Sequence, residues 1–381
     1  MARILIAWRM AVACLLLAWV GPVTAQDGVT ARQILIGQTL TLQGGKNEYG
    51  LAVEEGVKLY LELANRRGGV HGRTIALKVL DDDNKSAQAE ANARALVQEH
   101  KAFVLFGPIE GGPSTAVMKV ATELQVPLFG PMAGPPTLRV PHNPMVFPVR
   151  ADHKEEFKVI VRHAASMGLK RVGFLRSSSE VGGLHLQNVQ KICDENSIQM
   201  AVDLSFGTEV TDAMLDAMVQ QIERERVDVV FNHGGIGVYE RLIRKVKAKG
   251  LATVFYGVNS GSAQLAQRLG PLAPGMGFTQ VVPNPRTGTV PLARAFRAAY
   301  TAAYPGKEPT YGSLEGYLTA WALVEALQRA GPKPTRASFV AGLQSVDLDL
   351  AGAKISYRPQ MHAGLALVDL SVVSRDGIFR H

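Results

Sequence analysis

Cysteine is nearly absent from this chain: two in 381 residues, Cys14 and Cys193. Cys14 lies in an apolar leader, so a processed chain keeps only Cys193 and forms no internal disulfide. Its core must hold the fold unaided. Cys193 shares an apolar helical stripe with Val189 and Ile192, the setting of a buried, inert thiol rather than of a nucleophile. Long apolar runs are missing too. Met10–Val20 spans eleven residues, short of the roughly 20 a membrane-crossing helix needs, and no later segment reaches that length. Concentrated basic charge is the third absence. The formal charge is +8, and loss of Arg3 and Arg9 with the leader lowers it to +6. Arg241, Arg244, Lys245, Lys247 and Lys249 suit the wet face of one helix. No basic cluster interleaved with aromatics appears, which excludes a nucleic-acid partner.

What is present begins at the amino terminus. Arg3 and Arg9 precede the apolar run, and Val23-Thr24-Ala25 supply small residues before a cut. This is the layout of a secretory signal peptide over residues 1–25, cleaved after Ala25, and it predicts an exported protein. A lipid anchor through Ala11-Val12-Ala13-Cys14 is the rival reading. It would leave Leu15–Val20 as an apolar new terminus.

The remaining 356 residues suffice for two domains with separate cores. Short β-branched runs alternate with amphipathic stretches: strand Ile34–Leu40, helix from about Tyr49 to Asn65, strand Thr74–Leu80, helix Ser86–His100, strand Phe103–Phe106, a helix with Pro113 in its first turn, strand Val126–Phe129. After Arg150 the rhythm restarts, from helix Lys154–Met167 to strand Thr253–Tyr256. Helices Leu292–Tyr304, Ser313–Ala330 and Arg336–Leu343 follow, then strand Leu365–Val373. Strands alternating with helices predict two doubly wound α/β lobes with parallel sheets, and ligands settle in the crevice outside the strand carboxyl ends.

Enzyme signatures fail in detail. In Gly257-Val258-Asn259-Ser260-Gly261 the first glycine is one place too far from Ser260 for a nucleophile elbow. Gly107–Gly112 has the glycines of a phosphate loop, with Pro113 at the lysine position, and Gly235-Ile236-Gly237 opens a dinucleotide fingerprint whose third glycine is replaced by Glu240. These misses predict no cofactor and no catalysis. The nine histidines are scattered, with none paired at i, i+4 on a helix, so no metal site is predicted. Two readings stand for Asp81-Asp82-Asp83-Asn84: a hard-cation site, or a strand end capping the helix from Ser86 with its acids in solvent. Two also stand for His233, a ligand contact or a satisfied turn residue.

Ile36-Gly37, Tyr49-Gly50, the run Asn65–Arg73, Asp81-Asp82-Asp83, Phe106-Gly107-Pro108, Val126-Pro127-Leu128, Arg171–Phe174, Lys249-Gly250-Leu251 and Pro309-Thr310-Tyr311 occur in an order and spacing that resemble a known family. It is that of periplasmic solute-binding proteins, in the subgroup typified by leucine/isoleucine/valine-binding proteins of ABC importers. The resemblance covers essentially the whole processed chain. It implies a type I periplasmic-binding-protein fold with a three-crossover hinge, an amino-terminal lobe of residues 26–148 and 284–357, and a carboxyl-terminal lobe of 149–283 and 358–381. It further implies a monomer that takes a small-molecule ligand and docks on membrane permease subunits.

The same resemblance places a ligand carboxylate against two loops, Glu110-Gly111-Gly112-Pro113-Ser114 and Pro131-Met132-Ala133-Gly134. A helix amino terminus there offers N–H groups and a positive dipole end to an anion, and Gly111 and Gly112 admit close approach. The plainer reading is a pair of tight turns. Tyr49 matches a cleft aromatic, or else packs in a first helical turn. The second lobe departs from the pattern: Asn259 stands where the family's amino-acid binders carry an acid, and Val181 and Ile236 replace cleft aromatics. A ligand ammonium buried without an anion costs several kcal/mol. Those substitutions therefore point to an amide, a carboxylate or a similar metabolite with an apolar body. Rival functions are a sensory module in which closure signals to a partner and, on weaker grounds, a secreted hydrolase.

Overall fold

The computed structural model describes residues 28–43, 47–258, 261–345, 347–351 and 353–380. The leader with Cys14 and Ala25, and Asn259, lie outside the described residues.

Two α/β units are each built on a parallel sheet. In the first, β1 (Gln33–Leu40), β2 (Thr74–Asp81), β3 (Val104–Phe106), β4 (Leu128–Phe129) and β5 (Val146–Phe147) are arranged in the order β2-β1-β3-β4-β5. In the second, β6 (Arg171–Ser177), β7 (Gln199–Phe206), β8 (Val229–His233), β9 (Val254–Gly257) and β10 (Gly277–Gln280) repeat that order. Each half thus reverses its strand order at its first-laid strand, next to β3 in one and β8 in the other. A crevice opens outside the carboxyl ends at such a point. The β1 strand is buried almost continuously because helices cover both faces of a parallel sheet.

The chain passes between the sheets three times, between Phe147 and His153, between Gln280 and Pro291, and between His362 and Asp369. After the last passage β11 (Asp369–Val373) adds antiparallel to β10, and β12 (Phe379–Arg380) to β11. The hairpins Leu348–Ile355 and Tyr357–His362 precede it. Their strands have two or three residues, too few for an alternation signal.

The first lobe is held by two helices, α1 (Asn47–Arg66) and α10 (Tyr311–Arg329), which cross very closely. A Cβ on Gly56 would stand 1.8 Å from the Ser313 carbonyl oxygen, and one on Gly316 2.2 Å from that of Val53. Only hydrogen fits at this crossing. Tyr60 stacks on Trp321 and meets Tyr317 edge-on nearby. Thr310 and Ser313 form a reciprocal cap that starts α10. Cys193 is fully buried, as its stripe predicts, and burial pushes its thiol up to about 12.

The acidic cluster corrects one expectation. Helix α2 (Ser86–Gln98) starts after Lys85 with no side-chain cap, and Asp82 is fully buried. Its carboxylate accepts from the Thr41 and Thr39 hydroxyls at 2.7 and 3.1 Å and ties the end of β1 to the loop after β2.

Candidate functional site

The carboxyl ends of both sheets face the junction between the lobes, and the expected site residues distribute around it in two groups, with Val181 apart from both. Gly111 opens α3 (Gly111–Glu123), and a Cβ on it would stand 3.7 Å from Pro135 at the end of the second loop, so the two first-lobe loops lie side by side. Neither Gly111 nor Gly112 has a positive φ. The left-handed residue of this turn is Glu110, at 64°. A Cβ on Gly112 would stand 2.7 Å from the Ser86 hydroxyl, so this glycine faces the adjoining helix. Ser114 is buried, and its hydroxyl donates to the Pro108 and Ile109 carbonyls at 3.2 Å each, which commits it to its own loop. Met132 is bridged to Ile109 and packs in the first-lobe core, and Ala133 is buried beside it. Gly134 reaches across the lobes: its carbonyl accepts from the His153 backbone N–H at 2.9 Å, and a Cβ there would strike the His153 ring at 2.8 Å.

The second group surrounds Tyr49. Its hydroxyl donates to Glu315 Oε2 at 2.7 Å, and burial, reinforced by that carboxylate, lifts its pKa well above the ordinary tyrosine value. With Glu48, Ala52, Thr310, Tyr311 and Gly312 it walls a cavity of about 150 Å³. The opposite wall is the start of α8 (Ser262–Leu269) in the second lobe: Gly261, Ser262, Ala263, Gln264 and Gln267. Gln264 is 6 % exposed, and neither its amide oxygen nor its amide nitrogen has a hydrogen-bond partner. Ile236, the buried first residue of α7 (Ile236–Ala248), packs against the Gly261 end of this wall. Val181 is half-buried in the first turn of α5 (Glu180–Glu195), one turn ahead of His185 on the same face.

Sequence reasoning missed the polar chain that joins the lobes. Arg150, in the first passage between sheets, is 2 % exposed and lies between two carboxylates: it bonds Glu156 directly, and its Nη1 is 3.6 Å from Glu315 Oε1. Burial opposes its charge, but Glu156 and Glu315 outweigh that and hold its pKa above the usual arginine value. Glu156 is fully buried on α4 (His153–Ser166) and also accepts from Thr279 Oγ1 at 2.5 Å and pairs with His153 Nδ1 at 2.9 Å. Tyr49, Glu315, Arg150, Glu156 and His153 therefore form one connected path from first lobe to second.

At its far end three histidines converge. His153 starts α4, His185 lies on α5, and His233 ends β8 beside the strand-order reversal. One ring nitrogen from each lies within 4.8 Å of the others. The His185 and His233 ring centroids are 3.7 Å apart, and Phe157 packs against both rings. His185 is fully buried with neither nitrogen partnered, and burial pushes its pKa down to about 4 against a weaker opposing pull from Glu156. The even scatter of histidines along the sequence gave no sign of this gathering. A legible signal did exist, since His185 sits on the stripe Gly182, His185, Val189, Ile192 that is otherwise apolar.

Two doubly wound lobes, joined by three strands of chain and enclosing a polar site at their facing strand ends, define a ligand-binding protein of the hinged two-lobe class. The model of the periplasmic binding protein family matches residues 33–377, and the chain belongs to that family. Its fold is the type I periplasmic-binding-protein architecture of ABC-transporter solute-binding proteins, a family of binding proteins rather than enzymes. The Leu/Ile/Val-binding protein homolog 2 of Brucella abortus is 25 % identical over 312 residues, 81 % of each chain. The crystal structure of a possible leucine/isoleucine/valine-binding protein from Rhodopirellula baltica superposes with a TM-score of 0.83 at 23 % identity, covering 94 % of this chain and 98 % of that one. A solute-binding protein of an ABC transporter from R. palustris, solved in complex with benzoate, superposes at 0.78 with 18 % identity over 91 % and 94 % of the two chains. No helix among the described residues is long and apolar enough to cross a membrane.

Proposed function

We propose that this protein is the exported, non-catalytic receptor of an ABC importer, released by cleavage after Ala25, that captures a small amide or carboxylate with an apolar body between its lobes. Ligand contacts come from the Tyr49 cavity, from the Gly111 and Met132–Gly134 loops, and from Val181, Ile236 and Asn259 on the second lobe. The closed monomer then presents both lobes to the permease subunits. The observation that carries this reading is Gln264. A buried amide with neither end bonded costs about 1–3 kcal/mol per unsatisfied group, and it faces a cavity between two lobes whose hinge allows closure. A ligand amide satisfies both ends of it, and a ligand carboxylate accepts from its amide nitrogen. Relatives named for leucine, isoleucine and valine and a neighbour holding benzoate support a small carboxylate.

The test is a thermal-shift screen of processed protein, in chelator-containing buffer, over branched-chain amino acids, small amides, and aliphatic and aromatic carboxylates. A ligand at about 100 times its Kd stabilises the native state by roughly 2.7 kcal/mol. Gln264→Leu should abolish that shift while melting no lower than the parent without ligand. Full-strength binding by Gln264→Leu would remove the cavity from the site. Tight binding of leucine by the parent would overturn the inference drawn from Asn259.

A further inference from the structure

We propose that His153, His185 and His233 form a binding site for one first-row divalent transition-metal ion of the zinc class, with a fourth position open toward the interlobe cleft. The donors come from three separate elements, two helix positions and a strand end, which the second-lobe sheet brings to its strand-order reversal. Their nitrogens already lie within 4.8 Å of one another. A tetrahedral zinc ion with bonds of about 2.1 Å needs them roughly 3.4 Å apart, so side-chain rotations of little over an ångström complete the set. Three imidazoles and no carboxylate favour zinc, nickel or copper over calcium or magnesium, which take oxygen ligands.

Two further observations point to an occupant. His185 is fully buried with both ring nitrogens unpartnered, a state that an ion on one nitrogen relieves. His153 already has the outer partner that metal-binding histidines use. Its Nδ1 pairs with the Glu156 carboxylate at 2.9 Å, the carboxylate–histidine arrangement that orients a ring for metal binding. Glu156 is itself fixed by Arg150 and Thr279. His233 is only half-buried, which supplies an entry path, while Phe157 closes the apolar side. The Gly134 carbonyl is bonded to the His153 backbone, so an ion here would sit against a first-lobe loop and couple metal occupancy to lobe closure.

The experiment uses processed, tag-free protein stripped of metal, titrated with Zn²⁺ alone by calorimetry, with bound metal counted after gel filtration and Co²⁺ absorption used to report coordination. One equivalent should bind, with a visible Co²⁺ spectrum of tetrahedral intensity. His185→Leu and His233→Ala should each weaken binding at least about 100-fold, and His71→Ala, outside the cluster, should bind as the parent does. Because His185→Leu replaces an unbonded buried imidazole with an apolar side chain, it should melt no lower than the metal-free parent, and Zn²⁺ should raise the Tm of the parent only. Failure to bind one equivalent, or parent-like binding by His185→Leu, overturns the proposal. Such a failure leaves the solute-binding reading standing, because the solute screen is run in chelator.

Discussion

Arg150→Met is the most informative single substitution, because it removes the cation that lies between Glu156 and Glu315. At 3.6 Å the attraction between Arg150 and Glu315 is about 4–5 kcal/mol at an effective dielectric near 20, and the direct bond to Glu156 adds a second contribution of that order. Desolvating each buried ion costs several kcal/mol, so the intact chain is close to neutral in net stability. Truncation is different. It leaves two carboxylates, 0 % and 1 % exposed, facing each other without their counter-ion. The expected loss is about 3–5 kcal/mol, read from urea unfolding followed by circular dichroism. The decisive comparison is the double substitution with Glu156→Gln, which removes one of the stranded charges and should recover at least about 1 kcal/mol relative to additivity. Arg150→Met within about 0.5 kcal/mol of the parent, or strictly additive losses, would refute the account of this chain as a coupled buried network.

Gly316→Ala should destabilise the first lobe by several kcal/mol, within the range of severe overpacking, because its Cβ would stand 2.2 Å from the Val53 carbonyl oxygen and α1 must move bodily. Parent-like urea unfolding of this variant would disprove the close crossing of α1 and α10. At Asp82 burial raises the carboxyl pKa above its ordinary 3.8, with bonds from Thr41, Asn84 and Thr39 opposing. The native state then holds this proton to higher pH than the unfolded chain does, so its contribution falls as pH rises through that window. Asp82→Asn keeps an acceptor for Thr41 and should gain on the parent in urea midpoint as pH rises above about 4; a parent that gains on the variant would show that the hydrogen bonds outweigh burial.

The architecture was legible because parallel strands covered on both faces read as apolar runs separated by amphipathic helices, and that pattern survives even where β3 and β4 shrink to three and two residues. Tyr49, Gly111 and Gly134 stood out in the sequence because each lies shortly after a strand, and their contact with a ligand rests on the proposal above. What escaped were polar groups placed on apolar stripes. Glu156 interrupts His153, Phe157, Ile160, Val161 and Ala164 on α4, and His185 interrupts Val189, Ile192 and Cys193 on α5. Taken one at a time, each is a minor flaw in an amphipathic pattern, and nothing in the spacing of residues 153, 185 and 233 joins them. Asp82 was misjudged for the same reason: Thr39 and Thr41, which take it inward, stand more than 40 residues away. A buried polar side chain is tolerated only when some partner meets it, and in this molecule the partner is consistently a residue from another element. Departures from the hydrophobic period therefore mark where elements must recognise each other or a ligand. For Gln264 and His185, whose polar atoms find no protein partner, the same logic points outside the chain.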